Sequence, residues 1–316
     1  MYTYRFTVFT PTFNRVSLLP RLYESLQQQT YRDFEWLIID DGSTDLTTQI
    51  AEEWKGEGLI NLRYIWQENA GKHMAFNRAI REAQGELLLA IDSDDALLPK
   101  SLEIFSRHWD DIQTLPADQA AKFSGVTGLC QDQFGNVYGD QFPSDAFDSD
   151  ANEIRYKYRT KGEKKGFHKT DVHKQFPFPE LKDHKFVPES IVWNAIGQNY
   201  KTRFVNDIVR VYWSHDEERL TTGHFDPVMS PGHALWHRDI LNTNMKYFRY
   251  SPESLIKSAV HYSRFSFHAG DSIITQWKQL ESFPARALWA VTIPMGWYTY
   301  LKENGGRSSR SEARPE

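Results

Sequence analysis

The sequence predicts an α/β fold, a mostly parallel sheet flanked by helices, with a helical C-terminal extension. Three observations carry that expectation. Through about residue 110, short apolar runs alternate with helical patterns. Two of the runs end in crowded carboxylates: Asp40-Asp41-Gly42-Ser43-Thr44-Asp45 follows Phe34–Ile39, and Asp92-Ser93-Asp94-Asp95 follows Leu87–Ile91. From Gly232 to about Leu301 only helical periodicity remains.

Each element has its own reason. Arg5–Thr10 reads as a strand and Leu18–Gln29 as an amphipathic helix. Phe34–Ile39 is a strand, and Thr44–Trp54 a helix capped by Ser43 or Thr44. Leu59–Gln67 is a strand, Lys72–Gln84 a helix stopped by Gly85, and Glu86–Ile91 a strand. Pro99–Ile112 is a helix with Pro near its first turn. Sheets built in this order bind ligands at the carboxyl ends of their strands. Thr10-Pro11-Thr12 and both acidic clusters lie at such ends, so one shared crevice is expected. Beyond residue 115, Val126–Gln131 and Val137–Tyr138 around Phe134-Gly135-Asn136 suggest a hairpin. Ser144–Lys174 is polar and reads as a loop or flap. Its part Arg155–Lys174 holds eight Lys/Arg against two Asp/Glu. Such a run is either a solvated face or a basic lid over a phosphate-bearing ligand. Lys201–Trp213 is a strand pair or one long strand.

Composition removes several classes. With 37 Lys/Arg against 42 Asp/Glu the net charge is −5, which does not mark a nucleic-acid binder. The sole cysteine, Cys130, excludes an internal disulfide and fits a reducing, cytoplasmic compartment. Met1–Phe6 lacks the layout of a signal peptide, and no apolar run is long enough to span a bilayer. Pro284–Leu301 is the most apolar segment. It reads either as helices packed on the rest of the protein or as an interfacial element with peripheral contact at the inner face of the membrane.

Crowded carboxylates repel one another unless something positive joins them. Asp92 and Asp94 share a side if strand geometry persists, and one or two carboxylates plus diphosphate oxygens suit Mg²⁺ or Mn²⁺. An EF-hand is excluded, because Leu97 stands where that loop needs Gly. A solvated Asp-rich turn is the plain alternative. Asp41 follows a strand, where an acidic residue can accept from a base N–H or a ribose hydroxyl. Asn69-Ala70-Gly71-Lys72-His73 opens a helix whose amides, beside Lys72, suit an anion or a base carbonyl. No Gly-x-Gly-x-x-Gly or P-loop motif occurs, which argues against dinucleotide redox enzymes and P-loop ATPases.

Four ordered blocks resemble family 2 glycosyltransferases of the GT-A, Rossmann-like type. They are Phe9-Thr10-Pro11-Thr12-Phe13-Asn14-Arg15, Asp40–Asp45, Asn77-Arg78-Ala79-Ile80 with Gly85-Glu86, and Asp92–Asp95 with Pro99. The resemblance implies inverting transfer from a nucleotide diphosphate sugar, UDP-linked in most relatives, to a glycan or lipid-linked acceptor in surface polysaccharide synthesis. It implies that Thr10 and Pro11 line the nucleotide pocket and that Asp41 holds base or ribose with Lys72 nearby. Asp94 would contact the Mn²⁺ or Mg²⁺ directly, and Asp92 the ribose or a water on the metal. The general base would be Glu189, on a loop before a helix, with Asp183 and His184 behind it. The plain alternative for Glu189 is an acidic first-turn residue stabilising a helix dipole. His215 would be a second metal ligand and Arg219 a diphosphate contact, unless Ser214–Arg219 is a plain polar turn. The expected domains are a catalytic domain 1–220, with nucleotide half 1–112 and acceptor half 113–220, a helical region 221–304 and a disordered tail 305–316. A non-catalytic nucleotide- or sugar-binding module and a sugar nucleotidyltransferase are the competing functions. The latter lacks its expected Gly-rich basic loop after the first strand.

Overall fold

The alternation expected along the first 110 residues is present in the computed structural model of the chain, which describes residues 2–181, 184–213 and 226–311, with side chains to residue 304. It runs β1 (Tyr4–Thr12), α1 (Leu19–Gln27), β2 (Phe34–Asp40), α2 (Thr47–Glu57), β3 (Asn61–Trp66), α3 (Lys72–Glu82) and β4 (Gly85–Ala90). There follow β5 (Ala96–Leu97), α4 (Ser101–Gln113), α5 (Ala117–Ala120), β6 (Phe123–Asp132), β7 (Ala146–Ser149), α6 (Ala151–Tyr156), β8 (Lys164–Lys169), α7 (Thr170–Gln175), α8 (Ser190–Asn199) and β9 (Lys201–Tyr212). The chain closes with α9 (Ser230–Thr243), α10 (Pro252–His268), α11 (Ile273–Gln279) and α12 (Phe283–Ser311).

The strands form one sheet in the order β3-β2-β1-β4-β8-β6-β9-β5, with β7 also on β9. β1 to β4 pair in parallel, β8 is antiparallel to both β4 and β6, and β6 is parallel to β9. β1 to β4, β6 and β9 therefore point the same way, and their carboxyl ends share one edge. β2 is buried along its whole length, as expected for a strand covered on both faces. Tyr23, Trp36 and Trp54 stack on one face, with ring centroids 4.3 Å apart for Tyr23–Trp54 and 5.9 Å for Tyr23–Trp36. Away from the carboxyl edge, the buried Glu35 accepts from Thr7 Oγ1 and the Gln84 amide, both at 2.7 Å, and from Arg63 at 3.0 Å. Three donors make that buried carboxylate tolerable.

Several local expectations are corrected. Neither Ser43 nor Thr44 caps α2, which starts at Thr47; Asp45 accepts from the Thr47 amide, and Ser43 Oγ accepts from the Asn14 amide. Gly85 does not stop α3 but opens β4, where a Cβ would stand 2.2 Å from the Thr7 nitrogen. The expected hairpin reduces to one antiparallel bridge, Gln131 to Val137. The stretch 144–174 is no loop: it holds β7, α6, β8 and α7. About two thirds of the basic run is thus sheet and helix rather than a free lid. A strand with Lys164, Lys165 and Lys169 escapes the alternation test because basic side chains occupy both of its faces.

The chain divides into two compact units, Met1–Glu180 with Val192–Leu220, and Leu181–Ile191 with Thr221–Glu316. The segment Leu181–Ile191, expected in the acceptor half, goes with the second unit because Phe186 docks on α9. The Phe186 ring lies 4.8 Å from that of His233, and a Cβ on Gly232 would stand 2.2 Å from the Phe186 carbonyl oxygen. The second unit's core gathers Leu241, Ala259, Tyr262, Leu280, Ala285 and Trp289. α12 continues to Ser311, past residue 305 where a disordered tail is expected.

Candidate active site

Strand order decides where a ligand goes. The chain winds from β1 outward to β3 and then returns to β4 on the other side of β1, so the switch point lies between β1 and β4. The tip of β1 carries Thr12 to Arg15 and the tip of β4 carries Asp92 to Asp95. At that point three of the four expected blocks meet, Phe9–Arg15, Asp40–Asp45 and Asp92–Asp95, whereas Gly85-Glu86 opens β4 at the opposite edge, paired with Tyr4.

The acidic turn is held at both ends. β4 precedes it, β5 pairs with β9 just after it, and the Asp95 amide donates to the Asp92 carbonyl at 3.1 Å. Asp92, Asp94 and Asp95 each offer an oxygen within 4.8 Å of the others. Each has its own cation. Lys72 Nζ is 2.5 Å from Asp92, Arg15 Nη1 is 2.8 Å from Asp94, and Arg210 Nη1 is 2.9 Å from Asp95. Arg21 also donates to the Asp94 carbonyl at 3.1 Å, and its guanidinium lies 4.1 Å over the Trp213 ring. Burial would raise the Asp92 pKa, but the charges of Lys72 and Lys165 outweigh it and hold the carboxylate well below its usual range. Burial pushes Asp95 up, and Arg210 only partly pulls it back. The Asp95–Arg210 pair is almost wholly buried, whereas Asp92 and Asp94 are part-exposed. Asp95 therefore braces the turn, and Asp92 and Asp94 face outward. An all-oxygen, carboxylate set of this kind fits a hard divalent cation such as Mg²⁺ or Mn²⁺.

The second cluster divides its labour. Asp40 is fully buried and accepts from Tyr64 at 2.6 Å and from the Ser43 amide at 2.8 Å, so it holds the turn. Asp41 accepts from Gln67 at 2.7 Å, the Ala70 amide at 3.0 Å and the Gly71 amide at 2.8 Å. It thereby fastens the segment that delivers Lys72 to Asp92. Gly42, at φ +92°, lets this turn meet that segment, because a Cβ there would stand 2.9 Å from the Asn69 nitrogen.

The expected residues are distributed unevenly. Lys72, Asp92 and Asp94 come together, and Asp41 supports them from behind. Thr10 is fully buried and its hydroxyl accepts from Trp36 Nε1 at 2.9 Å. Pro11 is buried beside it, whereas Thr12, at the strand tip, has a buried hydroxyl with no partner. Glu189 is half-buried, directly before α8, in the second compact unit. His184 is in the same segment. His215, Arg219 and Asp183 lie outside the described residues. Sequence reasoning missed Arg210, met Lys165 only as one member of the basic run and gave Arg15 no role. Arg15 stood within a quoted block; Arg210 carries no local signal, since its partner is far away in sequence.

Residues 7–169 match the family model described as Glycosyl transferase family 2. The chain belongs to that family. Among curated relatives, the poly(ribitol-phosphate) β-N-acetylglucosaminyltransferase TarS of Staphylococcus aureus is 29% identical over 130 residues, 39% of this chain and 22% of its own length. The glycosyltransferase YibD of Escherichia coli, described as uncharacterized, is 36% identical over 101 residues, 32% of this chain and 29% of its own. The matches thus span well under two thirds of these relatives. The crystal structure of S. aureus TarS 1–349 in complex with UDP-GlcNAc shares the fold, with TM-score 0.62 and 19% identity over 95% of this chain and 92% of that one. The family's GT-A sheet and its helical continuation are therefore both present here. Among the described residues, no helix is long and apolar enough to cross a membrane.

Proposed function

We propose that this family 2 chain is a metal-dependent inverting glycosyltransferase. It moves a sugar from a nucleotide diphosphate sugar, UDP-linked as in the TarS complex, to a hydroxyl of a glycan or lipid-linked acceptor. The supporting observation is the carboxylate set Asp92, Asp94 and Asp95 at the β1/β4 switch point, ringed by Lys72, Arg15 and Arg210. Asp94 would be the direct ligand of a Mn²⁺ or Mg²⁺ ion, Asp92 would meet the ribose or a metal-bound water, and His215 would be a further ligand. The ion supplies Lewis-acid stabilisation of the charge that grows on the leaving diphosphate, worth several kcal/mol by general estimates.

The chain's own residues do the rest. Asp41 keeps the Ala70 and Gly71 segment in place, with Pro11 and Thr12 bordering the nucleoside. Arg15 and Lys72, exchanged from their carboxylates, bind diphosphate oxygens. Glu189 accepts the proton of the attacking acceptor hydroxyl, as inversion by direct displacement requires.

The test is a thermal-shift screen of nucleotide sugars with Mn²⁺ or Mg²⁺, since a ligand of the folded state raises its apparent stability. Nucleotide binding is expected only when the metal is present, and is lost in Asp94→Ala. No shift with any nucleotide diphosphate would refute the reading. Binding without turnover of any donor would instead favour a non-catalytic module.

A further inference from the structure

α12 is apolar on both of its sides. Its inner side sets Ala285, Trp289, Thr292 and Gly296 toward its own unit. Gly296 lets it meet α10 closely, since a Cβ there would stand 2.5 Å from Ser263 Cβ. Its outer side carries Phe283, Val291, Met295, Trp297, Tyr298 and Leu301, all exposed. No exposed position from 283 to 301 is charged, and Phe283, Val291, Met295 and Tyr298 fall on one stripe at helical spacing. α11 adds exposed Ile273, Ile274 and Trp277. The Trp277 ring lies 5.9 Å from that of Trp289, which places α11 beside the first turns of α12. Large apolar side chains exposed together along a helix mark a contact surface.

Two observations say what covers it. The aliphatic residues are mixed with Phe, Trp and Tyr, the side chains that settle at a lipid headgroup boundary. The charge then chooses the partner. From residue 221 on there are eleven Lys/Arg against eight Asp/Glu, opposite in sign to the whole chain's net −5, and exposed Lys278 and Lys302 flank the stripe, with exposed Glu281 between Lys278 and Phe283. A second copy docking by the same face would bring like charges together. An anionic surface would not. Because the helix is not apolar enough to cross a bilayer, it lies flat.

We propose that the outer face of α11 and α12 is a membrane-docking surface for an anionic lipid bilayer. It stands independently of the glycosyltransfer assignment. The test is co-sedimentation of the full chain with vesicles of phosphatidylcholine alone and of phosphatidylcholine mixed with phosphatidylglycerol. Binding is expected to the mixed vesicles and to weaken with salt. It should fall by at least about tenfold in Val291→Glu/Met295→Glu and measurably in Lys278→Glu/Lys302→Glu. All four positions are exposed, so unchanged melting temperatures separate lost docking from lost folding. Absence of binding to the mixed vesicles, or binding unaltered in Val291→Glu/Met295→Glu, overturns the proposal. So does a dimer, seen by light scattering, that Val291→Glu/Met295→Glu dissolves, because the face then belongs to a second copy.

Discussion

Replacing Arg15 by Gln should tighten the binding of a divalent ion, although it removes an ion pair. Arg15 Nη1 sits 2.8 Å from Asp94, with the Arg side chain 11% and the Asp side chain 28% exposed. An ion arriving at Asp94 must displace that guanidinium or bind beside it, and both cost free energy. Unit charges about 4 Å apart at an effective dielectric near 20 interact by about 4 kcal/mol. Solvent on the Asp94 side and the freedom regained by Arg15 reduce this to about 1–2 kcal/mol. At about 1.4 kcal/mol per tenfold, the dissociation constant should fall by roughly 5- to 30-fold. The assay is calorimetric titration with Mn²⁺ in the absence of nucleotide, so no turnover enters. With nucleotide diphosphate present the order should reverse, because the variant has lost a diphosphate donor. An unchanged or weaker Mn²⁺ affinity in Arg15→Gln without nucleotide would refute the reasoning.

Other expectations are narrower. Glu189→Gln should abolish turnover while nucleotide binding, read by calorimetry, stays within about twofold; normal turnover would remove Glu189 as the base. Gly232→Ala should destabilise the second unit and lower kcat, because its Cβ collides with the Phe186 carbonyl in the segment that carries Glu189; an unchanged melting temperature and rate would contradict this. Glu35→Ala should cost about 3–5 kcal/mol in urea unfolding, since it leaves Arg63 and buried donors unpaired far from the carboxyl edge. Burial holds His173 well below the ordinary histidine value of 6.5 and His261 at about 4. Both are neutral when folded and take up protons more readily when unfolded. Their contribution is therefore complete above pH 6.5 and is lost as the pH falls toward 4. Melting temperature should decline through that window, and less so in His173→Phe.

The first half of the sheet was legible because its strands obey one rule, an apolar run ended by a turn, and the helices between them keep a separate period. The carboxylates at the strand ends were legible for the same reason, since topology puts every such end on one edge. β8 was not legible: its Lys-rich sequence reads as solvent-facing, and only pairing with β4 and β6 makes it a strand. Long-range partners were equally silent. Nothing near Arg210 announces Asp95, and nothing near Phe186 announces Gly232. The bond from Trp36 to Thr10 was silent too, because a motif residue on an inward-facing position looks the same in sequence as one on an outward-facing position.

The place of β8 also sets an order of events during synthesis. β4 ends at Ala90, yet its second neighbour begins only at Lys164. A growing chain that has made β1 to β4 displays the open edge of β4 until β8 emerges. At ordinary elongation rates the wait lasts roughly 4–15 s. Throughout it the edge is a template for any foreign strand. The nascent protein is then most in need of a chaperone between those two points, and a ribosome stalled there would release its most aggregation-prone fragment.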